Sequence, residues 1–142
     1  MAIENTTVVT VSTEVNVPVH KAWECFTDPA HIVQWAFASD EWHAPKAEND
    51  LRPGGSFNTR MEAKDGSFGF DFGGVYDAVK PNEYIEYTLG DGRKVTSTFA
   101  QNGDHTRVAE SFEPESQNSV EMQQNGWQAI LDNYKRYTES AT

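Results

Sequence analysis

The sequence predicts an α+β fold: an antiparallel sheet of about six strands wrapped around a long C-terminal helix, with two short helices after the first strand. Three observations carry this expectation. From Asn118 to Tyr137, the large apolar residues Trp127, Ile130, Leu131, Tyr134 and Tyr137 recur at steps of three and four, which places them on one helical face. Between Leu51 and Glu113 the period is instead two, interrupted by the turn pairs Asp65-Gly66, Pro81-Asn82, Asp91-Gly92 and Asn102-Gly103. A long aromatic-faced helix that follows a run of hairpins needs a concave sheet to lie in.

Each element has its own signal. Val9, Val11, Thr13, Val15 and Val17 alternate with polar residues, the pattern of a half-buried first strand. Pro18 stops that ladder and suits a helix start, and Val19, Ala22, Trp23 and Phe26 follow at helical spacing. Thr27-Asp28-Pro29 ends the first helix and opens a second, with Asp28 as N-cap and Pro29 at N1, carrying Ile32 and Trp35. From Ala36 to Asp50 no period is visible. This stretch, with Phe37, Trp42 and Pro45, reads as a long irregular loop that covers a site.

The meander then begins. Phe57, Thr59 and Met61 share one face of a strand running from Leu51 to Ala63, which includes Gly54-Gly55. Phe68, Phe70, Phe72, Gly74 and Tyr76 share one face of the next strand, and Gly73-Gly74 inside it marks a bulge or sharp bend where the sheet curls. Further strands are expected at about Glu83–Leu89, Arg93–Ala100 and Thr106–Glu113. Asn118 with Glu121 three residues on resembles a capping box for the last helix.

Composition bounds the function. At 142 residues the chain is read as a single domain, able to bury roughly 70% of its unfolded surface. A net charge of −11 disfavours nucleic acid and anionic membrane as partners, since both are bound through basic patches. The single cysteine, Cys25, has no intramolecular disulfide partner and reads as a small buried hydrophobe. With no secretory pattern at the N-terminus and no run of about 18 apolar residues, a cytoplasmic location is expected. No cofactor is expected: there is no P-loop, no GxGxxG after a strand and no nucleophile elbow. No metal is expected either, because His20, His31, His43 and His105 lack ligand spacing. Of these, His20 and His31 read as exposed helix residues and His105 as a turn residue. His43 stands apart only because Trp42 precedes it in the long loop.

Several phrases in this order resemble a known family. They are Val17-Pro18 leading to Ala22-Trp23 and Thr27-Asp28-Pro29, then Asp50-Leu51-Arg52-Pro53-Gly54-Gly55-Ser56-Phe57. Phe72-Gly73-Gly74-Val75-Tyr76 follows, and last Gly126-Trp127 with Leu131-Asp132-Asn133. The chain is similar to the START-like, or birch-pollen-allergen-like, superfamily (the SRPBCC group that includes polyketide cyclases), in the branch related to the activator of the heat-shock protein 90 ATPase. The resemblance covers nearly all residues. It implies a helix-grip architecture, often with an apolar cavity between sheet and helix, and implies little about activity.

On that architecture the expected ligand-contacting residues are Phe57, Met61, Phe70, Phe72, Tyr76, Tyr87, Ser97, Phe99, Val108 and Glu110 from the sheet. Trp127, Leu131 and Tyr134 join them from the helix, and Trp42 from the rim. Glu110 is the residue to watch. It alternates with Val108 and Phe112, so it faces the helix if they do, and a buried carboxylate needs a partner or a ligand. A one-residue slip would turn it outward.

Three functions fit: binding of an apolar or aromatic small molecule without catalysis, a chaperone-associated interaction with a protein partner, and a cyclase or dehydratase-type enzyme using Glu110, Tyr76 or His43. The first is preferred, with no residue assigned a catalytic role and the chain expected as a monomer or weak dimer.

Overall fold

The computed structural model describes residues 8–140. Its order is β1 (Val9–Val15), α1 (Val19–Thr27), α2 (Pro29–Ile32), β2 (Trp42–Asn49), β3 (Ser56–Ala63), β4 (Gly69–Lys80), β5 (Tyr84–Leu89), β6 (Lys94–Asn102), β7 (His105–Phe112) and α3 (Val120–Ser140). All neighbouring strands are antiparallel, and the sheet runs β1-β7-β6-β5-β4-β3-β2. β1 and β2 are thus the two edges, although only α1 and α2 separate them in sequence. The helix pair spans the open side of the curled sheet, and α3 lies in the concavity against β1 and α1. Among the described residues no helix is long and apolar enough to cross a membrane.

The seventh strand corrects the expected six, and it falls inside the stretch read as a long loop. β2 shows no apolar alternation because only Ala44 on it is fully buried. Pro45 is compatible with a strand here for two reasons. β2 is a sheet edge, and its register with β3 shifts between His43 and Lys46, so the missing N–H breaks no regular ladder bond. The irregular segment shrinks to residues 33–41. Gly54 and Gly55 precede β3 in a turn instead of lying within the strand.

Curvature is built into β4. A Cβ on Gly74 would collide with the carbonyl oxygen of Thr88 on β5, so only glycine permits that approach. A register shift between Tyr76 and Ala78 follows directly.

The caps follow side-chain chemistry. Asp28 accepts a hydrogen bond from the Ala30 N–H at 3.0 Å, with Pro29 behind it. α3 is capped by Ser119, whose Oγ accepts from the Met122 N–H at 3.0 Å. Asn118, the expected cap, instead donates its side-chain amide to Glu115 at 2.8 Å.

Trp127, Ile130, Leu131 and Tyr134 do turn toward the sheet, but not equally. Leu131 and Tyr134 are fully buried, whereas Trp127 is half-buried and stacks on Phe112 at 4.0 Å with 9° between planes. Trp127→Ala is therefore expected to destabilise by about 2 kcal/mol, below the ~3–5 kcal/mol of a fully buried ring. Urea unfolding of the variant measures this, and an unchanged midpoint would mean the helix is not gripped there.

Candidate functional site

Between the concave sheet and α3 lies a cavity of about 310 Å³, large enough for a small ring system. Its walls come from every layer of the fold. The helix pair and the turn after it contribute Phe26, Ile32, Trp35 and Ala36, and α3 contributes Trp127 and Ile130. β3 adds Phe57, Thr59 and Met61, β4 adds Phe70, Phe72 and Tyr76, β5 adds Tyr87 and β7 adds Glu110. At one end the connections β5–β6 and β7–α3 bring Arg93 and Glu115, next to Gln123 of α3. A smaller space of about 140 Å³, lined by Phe37, Ala38 and Trp42, shares Met61, Phe70 and Ile130 with the main cavity.

The aromatic walls hold one another in place. Phe57 sits edge-on to Tyr87 at 4.8 Å and tilted against Tyr76 at 5.1 Å, while Phe72 meets Trp127 at 6.0 Å. Trp35 is tied at two points: its Nε1 donates to the Cys25 carbonyl at 2.8 Å, and its own carbonyl accepts from Asn133 Nδ2 at 3.0 Å. That pair of bonds fixes the α1–α2 corner over α3.

Polar groups in this lining divide into satisfied and unsatisfied. The Tyr76 hydroxyl donates to Asn49 Oδ1, and burial pushes its pKa up. Arg93 donates Nε to Asp91 at 2.8 Å and Nη1 to the Glu113 carbonyl at 3.2 Å. Gln123 clamps the strand–helix connection, accepting from the Glu115 N–H at 2.8 Å and donating to the Glu115 carbonyl at 3.0 Å.

Two groups differ. Glu110 is only 9% exposed and makes no hydrogen bond or ion pair with any described residue. Desolvation alone raises its pKa to about 7. The buried Tyr87 hydroxyl likewise has no hydrogen-bond partner among the described residues. Burial and the Glu110 charge raise its pKa well above the ordinary value. Beside them in the ladder, opposite Glu110 on β6, the fully buried Ser97 Oγ also lacks a partner.

The register through β6 and β7 is unbroken, so no slip turns Glu110 outward, and Val108, Glu110 and Phe112 all face inward. Phe57, Met61, Phe70, Phe72, Tyr76, Tyr87, Glu110 and Trp127 are brought together on the cavity wall. Trp42 lines the smaller space, at the start of a strand and not at the centre of a loop.

Ser97, Phe99, Val108, Leu131 and Tyr134 are placed in the packed core instead. There α1 sits directly on the sheet, with Trp23 and Phe26 edge-on to Phe99 at 5.1 and 5.2 Å, and fills the space a ligand would need. His43 lies outside the cavity, with Nε2 3.9 Å from Glu62. His31 is not a plain surface residue, since its Nδ1 is 2.6 Å from the Tyr137 hydroxyl.

The residues missed in sequence are chiefly Phe26, Ile32, Trp35, Thr59, Ile130 and the polar trio Arg93, Glu115 and Gln123. Thr59 was legible, since it alternates with Phe57 and Met61. The polar trio had no local signal, because separate connections converge only after folding.

The chain matches the family model described as Activator of Hsp90 ATPase homolog 1-like protein over residues 16–139. Among solved structures, it is similar to an AHSA1-like protein from Aeromonas hydrophila. The two are 39% identical, with 94% of each chain covered and a TM-score of 0.86. A protein from Cytophaga hutchinsonii is 54% identical, with 97% of this chain and 94% of that chain covered and a TM-score of 0.78. A Nitrosomonas europaea protein shares the fold at 19% identity, with both chains fully covered and a TM-score of 0.84. No curated protein matches the sequence.

Proposed function

We propose, for a chain that belongs to the Activator of Hsp90 ATPase homolog 1-like family, that its cavity binds a small apolar or aromatic molecule without catalysing its conversion. The observation that carries this reading is the cavity itself, about 310 Å³ walled mostly by aromatic rings, with two buried polar groups left without protein partners. Unpaired buried polar groups cost ~1–3 kcal/mol each, a cost that a ligand's complementary atom offsets.

Binding is favoured over turnover by the identity of the lining. The wall is mostly apolar, with few polar groups and no histidine or lysine among its described residues, a set suited to orienting a bound molecule. The family description names a chaperone ATPase activator, and Phe68, Phe70 and Val75 are exposed apolar side chains. The unpartnered Tyr87 and Glu110 lie on the cavity side, and they favour a small molecule over a protein partner.

The test is a titration with a fluorescent naphthalene probe. Trp127 emission is expected to be quenched and the amide resonances of β4, β5 and α3 to shift together. Shifts confined to the convex face of the sheet, or no saturable change, would remove the reading.

A further inference from the structure

We infer that the molecule bound in this cavity is a flat, ring-bearing compound with a carbonyl oxygen, and that the Tyr87 hydroxyl and the Glu110 carboxyl both donate hydrogen bonds to that oxygen. This rests on the binding reading above and adds the chemical class.

The argument starts from the row of the sheet that carries the two groups. Ile85, Ser97, Glu110 and Val11 stand opposite one another across β5, β6, β7 and β1. Tyr87, Val95, Phe112 and Val9 form the adjacent row on the same face. The two cavity-facing polar groups therefore lie on neighbouring rows of one concave wall, near enough that the Glu110 charge acts on the Tyr87 hydroxyl. The tyrosines and the arginine around them are already bonded, and the unpartnered Ser97 Oγ is enclosed in the core off the cavity wall. Tyr134 donates to the Ala22 carbonyl at 2.6 Å, Tyr76 donates to Asn49, and Arg93 is held by Asp91 and the Glu113 carbonyl.

Charge selects among the ligands that fit. An anion would enter a wall that already holds Glu110 and Glu115, on a protein of net charge −11, with Arg93 already engaged. A cation would require Glu110 to be ionised in a place where only desolvation acts on it. A neutral ligand with one strong acceptor avoids both costs. Below neutrality the wall offers two O–H donors, and a carbonyl oxygen has two lone pairs to receive them. The aromatic walls supply the faces and edges that hold a conjugated ring system.

The arrangement makes binding proton-linked. The titratable groups around Glu110 are Tyr76, Tyr87, Arg93 and Glu115 on the cavity wall and Tyr134 in the core beside it. The tyrosines are pushed above their ordinary range, and Glu115 is held below it by the N–H and side-chain amide of Asn118, so neither the tyrosines nor Glu115 change charge between about pH 5.5 and about pH 8.5. Glu110 alone does. Once ionised it turns from donor into acceptor and repels the carbonyl lone pairs.

The experiment compares 2-acetylnaphthalene with 2-ethylnaphthalene, which match in shape and differ at one carbonyl. Affinities of both are measured at about pH 5.5 and about pH 8.5 for the wild type, Glu110→Gln and Tyr87→Phe, each shown to be folded by its amide spectrum. The ketone-to-hydrocarbon affinity ratio is expected to fall about tenfold over this range in the wild type. In Glu110→Gln, whose amide still donates, the ratio should stay high and flat. In Tyr87→Phe it should drop about fivefold at the lower pH.

A ratio insensitive to pH and to both substitutions, with both probes bound, would overturn the carbonyl assignment while leaving the cavity as a binding site. A ratio that rises with pH would overturn it too, since Glu110 would then serve as an acceptor. Failure of both probes to bind at all would overturn the binding reading and this inference with it.

Discussion

Tyr134→Ala should destabilise the protein by about 3–5 kcal/mol, a large share of the roughly 5–15 kcal/mol available to a domain of this size. Tyr134 is fully buried. Its ring meets Trp35 edge-on at 5.0 Å and Phe26 at 5.3 Å, and its hydroxyl donates to the Ala22 carbonyl at 2.6 Å. One side chain thus joins α3, α1 and the turn after α2 over the closed part of the sheet. Truncation leaves a void that close-packed neighbours fill only in part, and it removes the hydrogen bond as well. Tyr134→Phe isolates the second term and should cost about 1 kcal/mol. Chemical unfolding of both variants checks the pair, and an alanine variant within about 1 kcal/mol of wild type would show that the α1–α3 contact does not hold the grip closed.

Glu110→Gln should stabilise the protein at pH 8 and leave it unchanged at pH 4. The sign follows from linkage. The Glu110 pKa rises from an ordinary 4.5 to about 7 on folding, so the native state holds this proton more tightly than the unfolded chain does. The resulting stability is fully present below the unfolded value and is lost as pH rises through about 7. Its full extent is about 3 kcal/mol, and glutamine, which cannot ionise, retains it at every pH. Comparing wild type with variant at each pH cancels the titration of the other carboxylates. A stability difference constant from pH 4 to pH 8 would mean that Glu110 is solvated in the native state, and a variant increasingly destabilised as pH rises would mean that Glu110 is paired on folding. The same variant also separates function from stability, because a residue kept for packing alone would not be destabilising at neutral pH.

These expectations show which parts of the molecule were legible in the chain. The period of 3.6 in α3 and the period of two from β3 to β7 are local consequences of backbone geometry, so they name the elements and their inward faces directly. Glu110 is a case in point: alternation put it on the side of Val108 and Phe112, and the unbroken register turns that side inward. β2 was illegible for the converse reason. An edge strand with one fully buried side chain and a proline at its bulge has little periodicity to read.

By itself, then, the sequence determined an α+β class, the aromatic face of the long helix, and the side of its strand that Glu110 shares with Val108 and Phe112. Periodicity reports which way a side chain points relative to its own backbone, and these properties require nothing more. Whether an inward residue meets a neighbour or a space was decided only by tertiary structure. α1 sits on Phe99 and fills that region, while the curl of β4 at Gly74 belongs to the part of the sheet that walls the cavity, Phe57, Phe72 and Tyr87 included. The ionisation of Glu110 was decided at the same level. The one arginine that folding brings to the cavity wall is held by Asp91 and the Glu113 carbonyl. Solvation is a property of what surrounds a group in three dimensions, and no spacing along a chain encodes it.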